Sequence, residues 1–78
     1  MINMKKKFVP PDFSTGEIEV RFEDSEFCIY ATDSGLEKLI SYCESLLKDE
    51  AGEHIHLEDY DVLTANSLKG VIAKFEKK

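Results

Sequence analysis

The stretch EIEVRFEDSEFCIYAT, residues 17–32, decides the fold. In its first half the apolar residues Ile18, Val20 and Phe22 alternate with charged residues, which is the period of a strand with one buried face. A short polar segment, DSE, then favours a turn. The second half alternates again but is apolar on both faces. The stretch therefore predicts a β-hairpin.

The next segment has the period of a helix. Between Ser34 and Glu50 the apolar residues recur at spacings of three and four, which predicts an amphipathic helix with one buried stripe. Ser34 and Glu37 fit a capping box, and Gly52 suits the left-handed position after a helix. The predicted buried stripe consists of Leu36, Leu39, Ile40, Cys43, Leu46 and Leu47.

Two further strands complete the predicted fold. In HIHLE, residues 54–58, alternation places Ile55 and Leu57 toward the helix and the two histidines on the opposite face. GVIAKFE, residues 70–76, is typical of a last strand. The sequence predicts an α+β fold of order ββαββ, with one helix packed on a four-stranded antiparallel sheet. Strand order 1-2-4-3 is favoured because strands two and four are the more apolar, and 2-1-3-4 satisfies the same connections.

Length, charge and composition narrow the classes of function. A chain of 78 residues is one domain. We expect an extended or flexible arm over residues 1–15, which lack an apolar period, and a single domain over residues 16–78. The net charge of -6 argues against nucleic-acid binding. Neither a signal peptide nor a membrane span is indicated, and two cysteines do not make a disulfide framework, so a cytoplasmic protein without membrane contact is expected.

The two histidines raise the question of a metal or catalytic site. His54 and His56 lie at alternate positions of one strand, whereas zinc usually takes three or four ligands. Cys28 shares the predicted face but lies two strands away. No local pattern indicates a nucleophile with its base and oxyanion site. The sequence therefore predicts no enzyme activity, no cofactor and no metal ligand, and it leaves open a small ligand-binding or metal-binding regulatory domain that uses His54 and His56.

An acidic segment follows the histidines and favours protein binding. Negative charge near a surface tyrosine can steer a basic partner, and tyrosine is enriched in interface cores. The predicted partner-binding residues are His54, His56, Glu58, Asp59, Tyr60 and Asp61. A second candidate surface, on the predicted open face of the sheet, consists of Cys28, Tyr30 and Ile72, and this face would suit a homodimer.

Two stretches carry a resemblance to a known family. GLEKLISYCESL (residues 35–46) and HIHLEDYDVLTANSLKGVIAKF (residues 54–75) together resemble bacterial immunity protein family thirty-two, small proteins associated with polymorphic toxin systems. The matching positions are His54, His56, Leu57, Leu63, Thr64, Ser67 and Leu68, whereas Ala65 and Asn66 depart from the family's turn. The resemblance spans about residues 35–76. It implies an immunity or antitoxin protein that binds and neutralises a cognate toxin domain.

Overall fold

The computed structural model describes residues 8–78. Its elements are β1 (Ile18–Glu23), β2 (Glu26–Ala31), α1 (Asp33–Leu47), β3 (His54–His56), a short 3-10 helix (Leu57–Tyr60) and β4 (Val71–Ala73). The prediction of an α+β fold with one helix between two pairs of strands is confirmed. Part of the predicted N-terminal arm, residues 1–7, lies outside the described residues. Residues 8–15 contain no helix or strand.

The first two strands form the predicted hairpin. β1 and β2 pair antiparallel from Ile18 opposite Ala31 to Glu23 opposite Glu26. The two turn residues, Asp24 and Ser25, have φ values of 49° and 65°. Positive φ at both central positions is the geometry of the two-residue turn that matches the twist of antiparallel strands. The polar DSE segment thus reverses the chain with the shortest common loop.

The predicted four-stranded sheet is not formed, in either strand order. β3 pairs antiparallel with β4, with Ile55 opposite Ile72, and this pair is a second two-stranded sheet separate from β1 and β2. β3 is only three residues long, because the chain turns into the 3-10 helix at Leu57 and leaves it through Asp61, whose φ is 56°. The two small sheets therefore replace the single sheet.

The outer edge of β1 is occupied by residues 62–68, which explains why β3 does not pair there. The Val62 carbonyl accepts from the Ile18 N–H at 3.0 Å, and the Ile18 carbonyl accepts from the Thr64 N–H at 2.9 Å. Further along β1, the Ser67 hydroxyl accepts from the Val20 N–H at 2.7 Å. This hydroxyl takes the position that the backbone carbonyl of a neighbouring strand would occupy. Backbone groups on a buried edge must be paired, and this segment pairs them.

The helix starts and ends at other residues than predicted. It begins at Asp33, and the Thr32 hydroxyl caps it by accepting from the Gly35 N–H at 3.1 Å. The predicted capping box is wrong, because the Ser34 hydroxyl donates to the Glu17 carboxylate at 2.7 Å instead. The helix ends at Leu47. Gly52 has the expected positive φ, 97°, but it lies in the turn before β3 and not at the end of the helix.

The core lies between β1, the 3-10 helix and one face of α1. Its buried members are Ile18, Val20, Leu57 and Val62, and the partly buried residues packed against them are Ala31, Leu39, Tyr42, Ile55, Leu63 and Ile72. Leu46 is also buried. The prediction that the whole apolar stripe of the helix is buried is wrong: Leu36, Ile40 and Leu47 are exposed, and so is Cys43. A two-stranded sheet is too narrow to cover the full stripe.

Gly35→Ala is expected to destabilise the protein, although this change in a helix normally stabilises it by about 1 kcal/mol. A methyl group on Gly35 would overlap the backbone carbonyl oxygen of Glu17. Relieving such overpacking costs about 1–3 kcal/mol. Urea unfolding followed by circular dichroism measures the change, with Ser41→Ala at an exposed position of the same helix as the control. A more stable Gly35→Ala variant would show that α1 does not approach Glu17 this closely.

Candidate protein-binding surface

The six predicted partner-binding residues lie on β3, on the 3-10 helix and at the residue that ends it, and we call them the acidic surface: His54, His56, Glu58, Asp59, Tyr60 and Asp61. The histidine rings lie 4.9 Å apart, nearly perpendicular to each other. The Nδ1 atom of His56 lies 3.1 Å from a carboxylate oxygen of Glu58, whose other oxygen accepts from the Gly70 N–H at 3.3 Å. His56 and Glu58 are therefore tied to the fold.

The charge of Glu58 is stabilised locally. Hydrogen bonding by its own backbone N–H, by the Gly70 N–H and by His56 lowers the pKa of the Glu58 carboxyl below its usual value, although burial opposes this shift. A carboxylate that accepts several N–H groups keeps its negative charge. Glu58 is thus a fixed negative charge, and its neighbours Asp59 and Asp61 add two exposed acidic side chains.

Tyr60 is held against the helix. Its ring centroid lies 5.1 Å from that of Tyr42 on α1, at an angle of 37° between the ring planes. The contact leaves Tyr60 51% exposed. An aromatic ring that packs on one side and faces solvent on the other can join an interface at a small cost in conformational entropy. Neither Tyr42 nor this stacking was indicated by the sequence, because the two tyrosines belong to different elements.

The second candidate surface is not assembled as predicted. Cys28 and Tyr30 share one face of the hairpin, opposite the face of Ile18 and Val20. Ile72 belongs to the other sheet and packs against the core. The prediction placed all three residues on the same face of one four-stranded sheet. It is wrong because β4 does not pair with β2.

The hairpin face that carries Tyr30 is filled by contacts within the chain. The Arg21 guanidinium lies 5.2 Å from the centroid of the Tyr30 ring and 5.7 Å from that of Phe8. The Tyr30 hydroxyl donates to Glu23 at 3.1 Å. A hydrogen bond with Cys28 has the largest effect on the pKa of Tyr30. Together with burial and the hydrogen bond to Glu23, it raises this pKa to about 12. Tyr30 is therefore a protonated hydrogen-bond donor near neutral pH.

An apolar groove on α1 is a feature that the predicted burial of the helix stripe does not include. It has a volume of about 440 Å³ and is lined by Leu36, Leu39, Ile40, Cys43, Glu44 and Leu47. Apolar patches of this kind often mark interfaces. A signal was present in the sequence: Leu36, Ile40, Cys43 and Leu47 form a second apolar stripe beside that of Leu39, Tyr42 and Leu46. A helix with two apolar stripes has more apolar surface than a small core can cover.

Metal and membrane features are absent from the part of the chain that the structure describes. Within residues 8–78, no three His, Cys, Asp or Glu side chains are arranged to hold a metal ion. No helix there is long and apolar enough to cross a membrane. Comparison of the chain with protein-family models, with curated proteins and with solved structures gave no match.

Proposed function

We propose that this chain is an immunity-type protein that binds a bacterial toxin domain through the acidic surface and thereby neutralises it. The observation that carries the proposal is the placement of Tyr60. Its ring is fixed against Tyr42 and half exposed, and it is flanked by the exposed Asp59 and Asp61. An aromatic anchor surrounded by charge is the usual composition of a protein-binding site.

Charge supports a basic partner. The net charge is -6, and the acidic surface concentrates part of it around one aromatic residue. Complementary charge increases the association rate and disfavours acidic competitors. A toxin domain that acts on nucleic acid carries basic residues at its active site for the same electrostatic reason, so the acidic surface is suited to cover such a site.

The resemblance to the immunity family supports the proposal through the residues that it matches. Leu57 is part of the core. Thr64 is buried, and its hydroxyl donates to the Glu19 carboxylate. The Ser67 hydroxyl accepts from the Val20 N–H at the outer edge of β1. These matched residues hold the chain between β3 and β4 in place. They thereby position the acidic surface, while Asp59, Tyr60 and Asp61 lie outside the matched positions and are free to suit one cognate partner.

A second candidate function uses the histidines. The rings of His54 and His56 lie 4.9 Å apart, which favours a small regulatory domain that binds a ligand or a metal ion through both imidazoles. Calorimetric binding of zinc, lost in a His54→Ala, His56→Ala double variant, would favour this function over toxin binding.

The proposed function is tested by growth rescue. The chain is expressed together with a toxin domain of the polymorphic toxin class taken from a gene adjacent to its own, where one is encoded there, and it is expected to restore growth. Failure to restore growth, with the chain expressed and folded, would contradict the proposal. Rescue by the unchanged chain but not by a Tyr60→Ala, Asp59→Asn, Asp61→Asn triple variant is expected.

Tyr60 and the two aspartates beside it should affect different rate constants of toxin binding. Tyr60→Ala is expected to weaken toxin binding by about 1–3 kcal/mol, mainly through faster dissociation. Asp59→Asn with Asp61→Asn should instead slow association and reduce its salt dependence. Surface plasmon resonance at two ionic strengths measures both effects. A control variant, Asp24→Asn with Asp33→Asn, removes the same charge from the hairpin turn and the start of α1, and it should change association less.

A further inference from the structure

The outer edge of β2 differs from the outer edge of β1. The Thr32 N–H donates to the Glu17 carbonyl at 3.0 Å, so in this register residues 26, 28 and 30 point their backbone groups toward β1. Phe27 and Ile29 consequently point their N–H and C=O groups away from it. Among residues 8–78, no backbone group pairs with them on that side. One edge of the hairpin is paired and the other is open.

The same two residues also expose their side chains. Phe27 is 65% exposed and Ile29 is 48% exposed, and the cross-strand partner of Phe27, Phe22, is exposed as well. An open edge with apolar side chains is the feature that natural proteins usually avoid by charge, proline or covering segments, because it pairs with other strands. Unlike the groove on α1, this edge also offers directed hydrogen bonds to its occupant.

We propose that β2 pairs antiparallel with β2 of a second copy, so that two hairpins form one four-stranded sheet of order β1-β2-β2-β1. With the two-fold axis at Cys28, Phe27 of each copy lies opposite Ile29 of the other, and these residues exchange the open backbone hydrogen bonds. Pairing of an aromatic with a β-branched residue is a favourable cross-strand combination. An interface of this kind is self-complementary, as a two-fold axis requires.

The charges of the strand are compatible with this register. On the opposite face of the new sheet, Glu26 lies across from Tyr30 of the other copy, and Cys28 lies across from itself, so no like charges are directly opposed. The pairing extends the two-stranded hairpin to a four-stranded sheet, the commonest size class of sheets in proteins. A second copy thus supplies what this edge lacks without any additional ligand.

The dependence of affinity on salt concentration distinguishes this dimer from partner binding through the acidic surface. Each copy carries a net charge of -6, so the two copies repel each other. Added salt screens this repulsion and should strengthen the dimer, whereas it should weaken binding of a basic partner to the acidic surface. A contact made by one short strand from each copy is small, and we expect a dissociation constant in the range of roughly micromolar.

Cysteine cross-linking tests the proposed register in the full chain. The chain has two cysteines, Cys28 and Cys43. Across the proposed axis, the two Cys28 Cα atoms form a non-hydrogen-bonded pair about 4.5 Å apart, within disulfide range. Cys43→Ser, which retains Cys28, is expected to form a covalent dimer when diamide accepts the two electrons and two protons. The matched Cys28→Ser variant, which retains Cys43, is expected to stay uncross-linked.

Sedimentation velocity tests the non-covalent dimer. Ile29→Lys places a charge at the centre of the edge and is expected to raise the dimer dissociation constant by at least about tenfold. Ile40→Lys, at a comparably exposed position in the groove on α1, is the control and should leave the dimer unchanged. Circular dichroism verifies that both variants fold.

Three results would overturn the proposal. A monomer at all protein and salt concentrations would exclude the pairing. Cross-linking through Cys43, or loss of the dimer in Ile40→Lys, would assign the interface to the groove on α1. Dimerisation only after deletion of residues 1–7 would show that these residues, and not a second copy, occupy the edge of β2.

Discussion

Leu46→Ala is expected to lower the free energy of unfolding by about 2–5 kcal/mol, whereas Leu47→Ala at the next position should change it by less than about 0.5 kcal/mol. Leu46 is 5% exposed and Leu47 is 75% exposed. Truncation of Leu46 removes buried apolar surface and leaves a cavity. The two changes are chemically identical and lie on one helix, so helix propensity affects both alike.

Urea unfolding of the two leucine variants determines which face of α1 packs on the core. Equal losses of stability would mean that Leu46 and Leu47 are both buried, as the sequence alone predicts. A larger loss for Leu47→Ala would mean that the helix is rotated relative to the described structure. Only a loss confined to Leu46→Ala agrees with a helix that buries Leu46 and leaves the groove open.

Glu19→Ala is expected to cost about 2–3 kcal/mol, because it leaves the buried Thr64 hydroxyl without its charged acceptor and removes one of the two carboxylates that pair with Arg21. Glu19 is 1% exposed. One carboxylate oxygen accepts from the Thr64 hydroxyl at 2.6 Å, and the other pairs with Arg21 at 2.5 Å. Glu23→Ala is the control, since Glu23 also pairs with Arg21 but is more exposed. Thermal and urea unfolding measure the difference, and equal small losses would contradict burial of Glu19.

The carboxyl of Glu19 should also make stability depend on pH. The hydrogen bond from Thr64, followed by the bond and charge of Arg21, lowers the pKa of Glu19 below 4.5 against the effect of burial. A lowered folded-state pKa gives stability that is fully present above the unfolded pKa and is lost as pH falls through the folded pKa. The advantage of the unchanged chain over Glu19→Gln should therefore shrink below about pH 4.5. A constant difference would contradict a charged Glu19.

The sequence by itself determined the elements whose periods are local. Alternation of Ile18, Val20 and Phe22 requires a strand, since successive side chains point to opposite faces. The polar turn at Asp24 and Ser25 then places β2 beside β1. Alternation in HIHLE likewise requires Ile55 and Leu57 to face inward, and Leu57 is buried while Ile55 packs against the core.

Only the tertiary structure decided how these elements share a small core. Residues 62–68, and not β3, pair with the outer edge of β1. The period of a segment does not show which of two distant segments will pair with a given strand. This pairing of residues 62–68 excludes the order 2-1-3-4, in which β3 would lie beside β1. The order 1-2-4-3 is not formed either, because Ile72 of β4 packs against the core and β4 does not pair with β2.

The tertiary structure also decided which individual side chains are buried. Alternation assigned Glu19 to the solvent side of β1, but Thr64 lies 45 positions away in sequence and covers it. On α1, spacings of three and four place Leu46 and Leu47 in one predicted buried stripe, but Leu46 is buried while Leu47 is exposed. The physical reason is that periodicity fixes the relative directions of side chains within an element, whereas burial depends on which other element arrives to cover them.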